Sequence, residues 1–383
     1  MEKLIPMDFE AYRAEFPTLS RKTYLNTCSL GALSTRTRAG VNRYLDLWED
    51  LGASAWYEIW MGEIEALRMK FARLIGAHKD EVGIAPNVSA VLATIASAMD
   101  YRERNQVVCN DLDFPTIPYQ WLVKPGVKVS HARTPDGIHV PTEAYKPLVS
   151  EATAAVATSH VFYTSGYIQD VKAITRTAHA AGALSIIDAY QGTGQVPTDV
   201  KEIGCDVLIT GGLKWLLGGT GISYFYVSRE AQRKLGPPTT TGWFAHGEQF
   251  RFDNLAFSPK GDARRFELGT PSISAVYAGS AALDIVLEVG SENIRRRTTE
   301  LVNDLHDRLH DAGFALKTPK RAEERAGIVM VEMPDPAGVV KRLAAENIIV
   351  DFRPGRLRLS PYFYNTIEEN AKVVEAIQRA VKA

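Results

Sequence analysis

Between Ala154 and Val227 short apolar runs alternate with helical segments. Ala154–Val161, Ala183–Asp188, Asp206–Ile209 and Ile222–Val227 read as strands, with helices at Val171–Ala181 and Val200–Ile203. Strand, helix and strand in succession fold into a largely parallel sheet with helices packed on its faces, so the pattern predicts an α/β fold. A dinucleotide-binding fold shares the alternation, but no Gly-x-Gly-x-x-Gly opens a helix after the first strand. At 383 residues, 45% of them hydrophobic, the chain is long enough for two domains with cores of their own.

One lysine stands out against this pattern. Lys214 follows the run Asp206–Ile209 and lies in Thr210-Gly211-Gly212-Leu213-Lys214-Trp215, with Gly218, Gly219 and Gly221 beyond it. Glycines allow close backbone or ligand approach, and apolar surroundings lower a lysine's pKa and free its nitrogen to condense with an aldehyde as a Schiff base. A loop lysine between two glycine turns would read the same way. Asp188 ends a strand 26 residues earlier (214 − 188). The carboxyl ends of parallel strands are where open α/β sheets bind ligands, although a helix N-cap is another common use of such an aspartate. Pyridoxal phosphate (PLP) needs this pair: an amine for its aldehyde and an acid that keeps its ring nitrogen protonated.

Three stretches, Ser159–Gly166, Asp188-Ala189-Tyr190-Gln191 and Gly212-Leu213-Lys214-Trp215, resemble in order and spacing the aminotransferase class V group of PLP enzymes. That group includes cysteine desulfurases, kynureninases and isopenicillin N epimerase-like proteins, and the resemblance extends over nearly the whole chain. It implies PLP-dependent transferase fold type I: a large domain around a mostly parallel seven-stranded sheet and a smaller C-terminal α/β domain. It also implies a homodimer with shared active sites. The boundaries expected are an N-terminal arm at 1–23 packing with the small domain, a PLP-binding domain at 24–274 and a small domain at 275–383.

The same resemblance assigns roles. Lys214 and Asp188 are the catalytic pair, and the amides of Val88 and Ser89, after Asn87 as N-cap, hold the cofactor phosphate, as the dipole at a helix start favours. Phe114, before Pro115, stacks on the pyridine ring, Gln191 donates to the phenolic oxygen, and Ser165 and Thr210 complete the cofactor set. Trp243 in a Gly-Trp-Phe loop and Thr270 in a Gly-Thr-Pro turn reach a neighbouring subunit's site. Arg358 grips a substrate α-carboxylate, a task suited to a planar bidentate donor, and Asn26 of Tyr24-Leu25-Asn26 lies near the substrate. Each has a plainer use as well: Asn87, Ser89 and Thr270 as helix caps, Phe114 as a core plug, Arg358 as a solvated strand residue, Asn26 as loop.

Residues 35–75 read as helical, with Val41, Tyr44, Leu45, Leu47 and Trp48 at helix-like spacing, and Trp56, Tyr57 and Trp60 as core or subunit contacts. Further helices are expected at Ala275–Glu288 and Ser291–Ala312, and strands near Gly327–Met333, Ile348–Phe352 and Arg356–Pro361. A last helix starts at Thr366, with Thr366 and Glu369 as a capping box.

A net charge of −1 gives no reason to expect nucleic acid, and no run has the length and apolarity of a membrane span. The start lacks the apolar core of a signal peptide, and with three dispersed cysteines, Cys28, Cys109 and Cys205, in no metal-ligand spacing, a cytoplasmic protein without a metal is expected.

Two departures from the family pattern bear on the reaction. Leu213 precedes the lysine where desulfurases have histidine and kynureninase-like members often tyrosine, and residues 320–357 hold no cysteine, which argues against a persulfide-forming desulfurase unless Cys28 substitutes. The expected activity is therefore a side-chain-cleaving lyase (C–S or C–C) acting on an α-amino acid, with transamination as alternative and epimerisation behind it. A PLP-binding sensor usually carries a DNA-binding extension, and no basic helix-turn-helix is present.

Overall fold

Strand side chains alternate between two faces, and here both faces are covered. Ile186 packs on one side of the central sheet and Ile187 on the other; Val207 and Ile209 oppose Leu208, and Phe225 and Val227 oppose Tyr224 and Tyr226. The computed structural model describes residues 7–382, so the first six residues of the expected N-terminal arm lie outside the described residues. The strands of this sheet are β1 (Val82–Ala85), β2 (Gln106–Asn110), β3 (Lys128–Ala132), β4 (Thr153–Ser159), β5 (Leu184–Asp188), β6 (Val207–Gly211) and β7 (Ser223–Val227). Their order is β1-β7-β6-β5-β4-β2-β3, and β7 alone runs antiparallel to its neighbours. Burial on both faces explains why β4 to β7 read as unbroken apolar runs.

Residues 35–75 form two helices rather than one. The first, α1 (Thr35–Leu51), stops at Gly52, whose φ of +52° no helix interior accepts, and a short 3-10 turn and a wide turn at Trp56–Trp60 precede α2 (Met61–Leu74). Trp60 is buried and meets Trp56 edge-on at 5.2 Å, while Tyr57 is exposed. Helix α2 and the long apolar α3 (Ile273–Val289) cover one face of the sheet, and helices Val88–Ser97 and Thr116–Leu122 cover the other.

Beyond α3 come α4 (Ser291–Asp311) and a second, antiparallel sheet of β8 (Val329–Glu332), β9 (Asp351–Arg353) and β10 (Arg356–Leu359), in the order β9-β10-β8. The helix Ile367–Lys382 opens with the expected capping box: Thr366 N–H donates to Glu369 Oε2 (3.0 Å) and Glu369 N–H to Thr366 Oγ1 (3.3 Å). The run expected as one strand at Ile348–Phe352 divides its hydrogen bonds. Ile348–Ile349 pairs in parallel with Thr23–Tyr24, and Asp351–Arg353 turns to β10. Asn26 then bridges to Ser360, and Arg13 pairs with Glu369 at 2.8 Å, so the N-terminal segment is bonded to residues near the C-terminus.

One buried ion pair anchors the loop that carries Trp243 and Thr270. Arg68 Nη1 donates to Glu267 Oε1 (2.7 Å) and to Val82 O (2.9 Å), and Glu267 also receives Ile84 N–H (3.0 Å). The next residue, Leu268, accepts from Phe244 N–H. Taking away one member leaves a buried charge uncompensated, so Glu267→Ala is expected to cost roughly 3–5 kcal/mol of stability. Urea unfolding measures this, and a loss under about 1 kcal/mol would mean that the Arg68–Glu65 contact suffices.

Candidate active site

The carboxyl ends of β4, β5 and β6 meet at one cleft, lined by Phe114, Ser159, Val161, Tyr163, Asp188, Tyr190, Gln191 and Lys214. Parallel neighbours place their carboxyl ends on the same edge, so residues far apart in sequence arrive together. Lys214 sits in a loop closed by Gly212 N–H to Ile222 O (3.0 Å), Gly218 N–H to Gly212 O (2.8 Å) and Leu217 N–H to Lys214 O (3.1 Å). Leu217 takes a left-handed φ of +60°, a costly conformation for leucine that this closed loop imposes.

Two ionisable groups are held in low dielectric here. Burial pushes the Lys214 amine down to about 8; Arg358 and Arg353 act in the same direction, and Cys28 and Asp188 oppose them. Burial pushes the Asp188 carboxyl up to about 6, against the Tyr190 N–H that donates to its Oδ1 at 2.8 Å and against Lys214. Both shifts favour the neutral forms. A third carboxyl, Asp113, is raised to about 7 by burial while accepting Asn110 N–H (2.9 Å) and Ser159 N–H (2.7 Å). It fixes the turn from which Phe114, 44% exposed, projects into the cleft mouth, edge-on to Tyr163 at 5.2 Å.

The other expected residues divide into groups. Asn87 caps the helix Val88–Ser97 by accepting Ala90 N–H (2.9 Å), so the Val88 and Ser89 amides have no intrahelical acceptor; Ser89 Oγ meets Thr116 Oγ1 at 3.2 Å. Gln191 lines the cleft, yet it already donates to Cys28 O (3.0 Å) and accepts from Trp215 Nε1 (2.8 Å), leaving one amide hydrogen. Ser165 and Thr210 do not line the cleft. Ser165 Oγ donates to Ile138 O (2.7 Å) and Thr210 Oγ1 to Ala189 O (3.3 Å), so both hydroxyls serve the protein's own backbone. Trp243 and Thr270 bond to each other (3.2 Å) outside this cleft, beside a hollow lined by His246, Phe252 and Leu255. Asn26 Oδ1 is buried without a partner among the described residues. Cys28 is fully buried, unlike a thiol presented on a mobile loop.

Arg358 is 1% exposed and sits just behind the cleft wall. Its Nη2 donates to Asp351 Oδ2 (2.7 Å) and Ser29 Oγ (2.6 Å), its Nη1 reaches the carbonyl of cleft-lining Tyr163 (3.4 Å), and its Nε has no acceptor among the described residues. Burial acts upward on the Asp351 carboxyl, but Ser29, Phe352 N–H and Arg358 together hold it down, at about 2. The sequence reading missed Asp351, Ser29 and Tyr190; adjacency to Asp188 was the available signal for Tyr190.

A half-buried amine and a buried carboxyl at a parallel sheet edge, an aromatic ring at the mouth and open helix amides nearby define a PLP-dependent enzyme of fold type I. Residues 53–369 match the family described as Aminotransferase class-V, and the chain belongs to that family. It is 35% identical over 96% of its length, and 97% of the relative's, to an uncharacterized aminotransferase, YcbU, of Bacillus subtilis strain 168. A kynureninase of Geobacillus thermodenitrificans is 28% identical, covering 97% of this chain and 91% of the relative. In fold the chain is similar to the apo cysteine desulfurase of Thermococcus onnurineus NA1, with a TM-score of 0.89 at 21% identity over 99% of this chain and 100% of that one. The donor set fits the family's cofactor, because the cleft holds the amine for an aldehyde and the carboxyl for a ring nitrogen side by side.

The lowered Lys214 value makes this amine chemically distinct. In the full-length chain freed of cofactor, an amine-selective reagent should modify Lys214 with a midpoint near pH 8, read by peptide mass spectrometry. A midpoint equal to that of exposed lysines, about 10.4, would contradict the low-dielectric setting.

Proposed function

We propose that this PLP-dependent enzyme acts on an α-amino acid as a side-chain-cleaving lyase, breaking a C–S or C–C bond, with Lys214 as both cofactor anchor and proton-transfer base. The observation that carries the reading is the convergence of Lys214, Asp188 and the Arg358-backed Tyr163 wall on one cleft. The bound cofactor supplies an electron sink for the charge left when a bond at Cα breaks. The Val88 and Ser89 amides would hold its phosphate, Phe114 would pack on its ring, Gln191 would offer its remaining amide hydrogen, and Asp188 would keep the ring nitrogen protonated. Lys214, with its lowered pKa, is free to take the Cα proton near neutral pH and return it elsewhere.

Arg358 has one nitrogen to offer a substrate. Asp351 and Ser29 occupy Nη2, whereas Nη1, in one long contact with Tyr163 O (3.4 Å), is left to donate a charge-assisted hydrogen bond to a substrate carboxylate. Asn26, with its unpartnered Oδ1, lies on the chain segment next to Ser29.

A homodimer belongs to this reading. Trp243 and Thr270 point away from their own cleft, on a loop whose Phe252 and Leu255 are 70% and 93% exposed, as befits a segment closing a neighbour's site. Lyase chemistry is favoured by the full-length likeness to kynureninases, and the three buried cysteines favour a route without a protein persulfide. Transamination is the second reading, favoured by the likeness to YcbU.

Incubation with a panel of amino acids separates the two. Release of alanine, pyruvate, ammonia or sulfide without any added 2-oxo acid supports the lyase, and turnover only with a 2-oxo acid acceptor overturns it. Lys214→Ala should abolish borohydride fixation of the cofactor; fixation at another lysine would remove Lys214 from its role. Arg358→Lys should raise KM about tenfold or more with cofactor content unchanged, since a single ammonium cannot keep Asp351 and Ser29 and also reach a carboxylate past Tyr163. Equal activity of the parent enzyme on decarboxylated amines would reopen the substrate class.

A further inference from the structure

Tyr190 stands two residues after Asp188 and lines the cleft; its N–H serves Asp188, and its side chain faces the amine. Its ring face lies under the reactive amine, with Lys214 Nζ 4.3 Å from the ring centroid. That is close for a cation over an aromatic face, and the pair is removed from bulk water, where such contacts are strongest. The ring is held there from two sides. Its backbone N–H is bonded to Asp188 Oδ1 (2.8 Å), and its edge occupies the space over Gly211, where a Cβ would overlap the ring atoms Cε2 and Cζ. Gly211 has no left-handed φ, so its missing side chain serves to admit this ring rather than to make a turn.

We propose that Tyr190 is a positioning residue whose ring face, seated on Gly211, is the resting place of the Lys214 ammonium whenever that amine is not bonded to the cofactor. The titratable and charged groups facing Lys214 are Asp188 from β5, Cys28 from the N-terminal segment, and Arg358 and Arg353 from the second sheet. The two arginines oppose a protonated amine, and Asp188 is itself drawn toward its neutral form by burial. The phenol does not supply an anion either, because burial, aided by Asp188, pushes it up to about 12. Its hydroxyl makes no hydrogen bond among the described residues, which leaves the quadrupole of the ring as what Tyr190 offers the amine. A lysine that must leave the cofactor, take up a proton and deliver it gains from a site that accepts its charged form without forming a bond to be broken.

The inference rests on Lys214 being the reactive amine, and the test reads that amine's own titration, so it stands or falls separately from the assignment of the reaction. Full-length parent, Tyr190→Phe, Tyr190→Leu and Gly211→Ala proteins are freed of cofactor with hydroxylamine. Each is labelled across pH 6–11 with acetic anhydride, with the Lys214 peptide followed by mass spectrometry and folding checked by near-ultraviolet circular dichroism. Loss of the ring face withdraws support from the ammonium, so Tyr190→Leu should lower the midpoint by roughly half to one and a half pH units. Tyr190→Phe keeps the face and should stay within about 0.3 unit of the parent. Gly211→Ala displaces the ring without deleting it and should move the midpoint in the direction of the leucine variant, which keeps the test decisive if Tyr190→Leu does not fold. An unchanged or raised midpoint in the folded leucine or Gly211→Ala protein overturns the proposal, and so does a phenylalanine variant that falls as far as leucine.

Discussion

Lys214 and Asp188 come from neighbouring strands of one sheet, and water shields neither of them well. Keeping a cationic and an anionic group at such a place costs several kcal/mol per ion unless something local compensates. The protein keeps the compensation small and rigid: one backbone N–H for Asp188, a ring face for Lys214, and a glycine-closed loop that prevents the lysine from swinging out. Both groups are thereby left near the point of changing protonation state. The packed double-faced sheet beneath makes this possible, since a framework without slack keeps two such sparingly compensated groups in place.

The second sheet solves a different electrostatic problem. Arg358 is buried more deeply than Lys214, and Asp351 and Ser29 both accept from its Nη2. A bare guanidinium in that position would be costly, and one bonded on every side would have nothing to offer a ligand. The observed arrangement lies between these two, with Nη2 paired twice and Nη1 in a single long contact.

Much of this was legible in the sequence where a pattern repeats locally. The buried strands, the Asn87 cap and the Thr366–Glu369 capping box follow from period, side-chain chemistry and spacing of a few residues. What escaped depends on packing between distant segments. Gly52 breaks a stretch that has helical periodicity on both sides, and Ile348–Phe352 divides between two sheets although its composition reads as one strand. In the site, the motifs pointed to Lys214 and Asp188, which line one cleft, and to Ser165 and Thr210, which lie outside its lining with hydroxyls bonded to backbone carbonyls. Tyr190 was passed over because its significance lies in Gly211, a residue 21 positions away (211 − 190) that reads as loop flexibility until the ring is seen to fill its space.

The parallel pairing of Thr23–Tyr24 with Ile348–Ile349 has a consequence for how the chain comes into being on the ribosome. These partners are separated by 325 residues (348 − 23), so at about 5–20 residues per second the amino-terminal strand waits roughly 15–65 s for its mate to be made. During that interval β1 to β7 are complete and able to assemble, while the segment bearing Asn26, Cys28 and Ser29 still lacks its partners Asp351 and Ser360. The half of the cleft with Lys214 and Asp188 can therefore take shape first on the nascent chain, and the half with Arg358 closes only as translation ends.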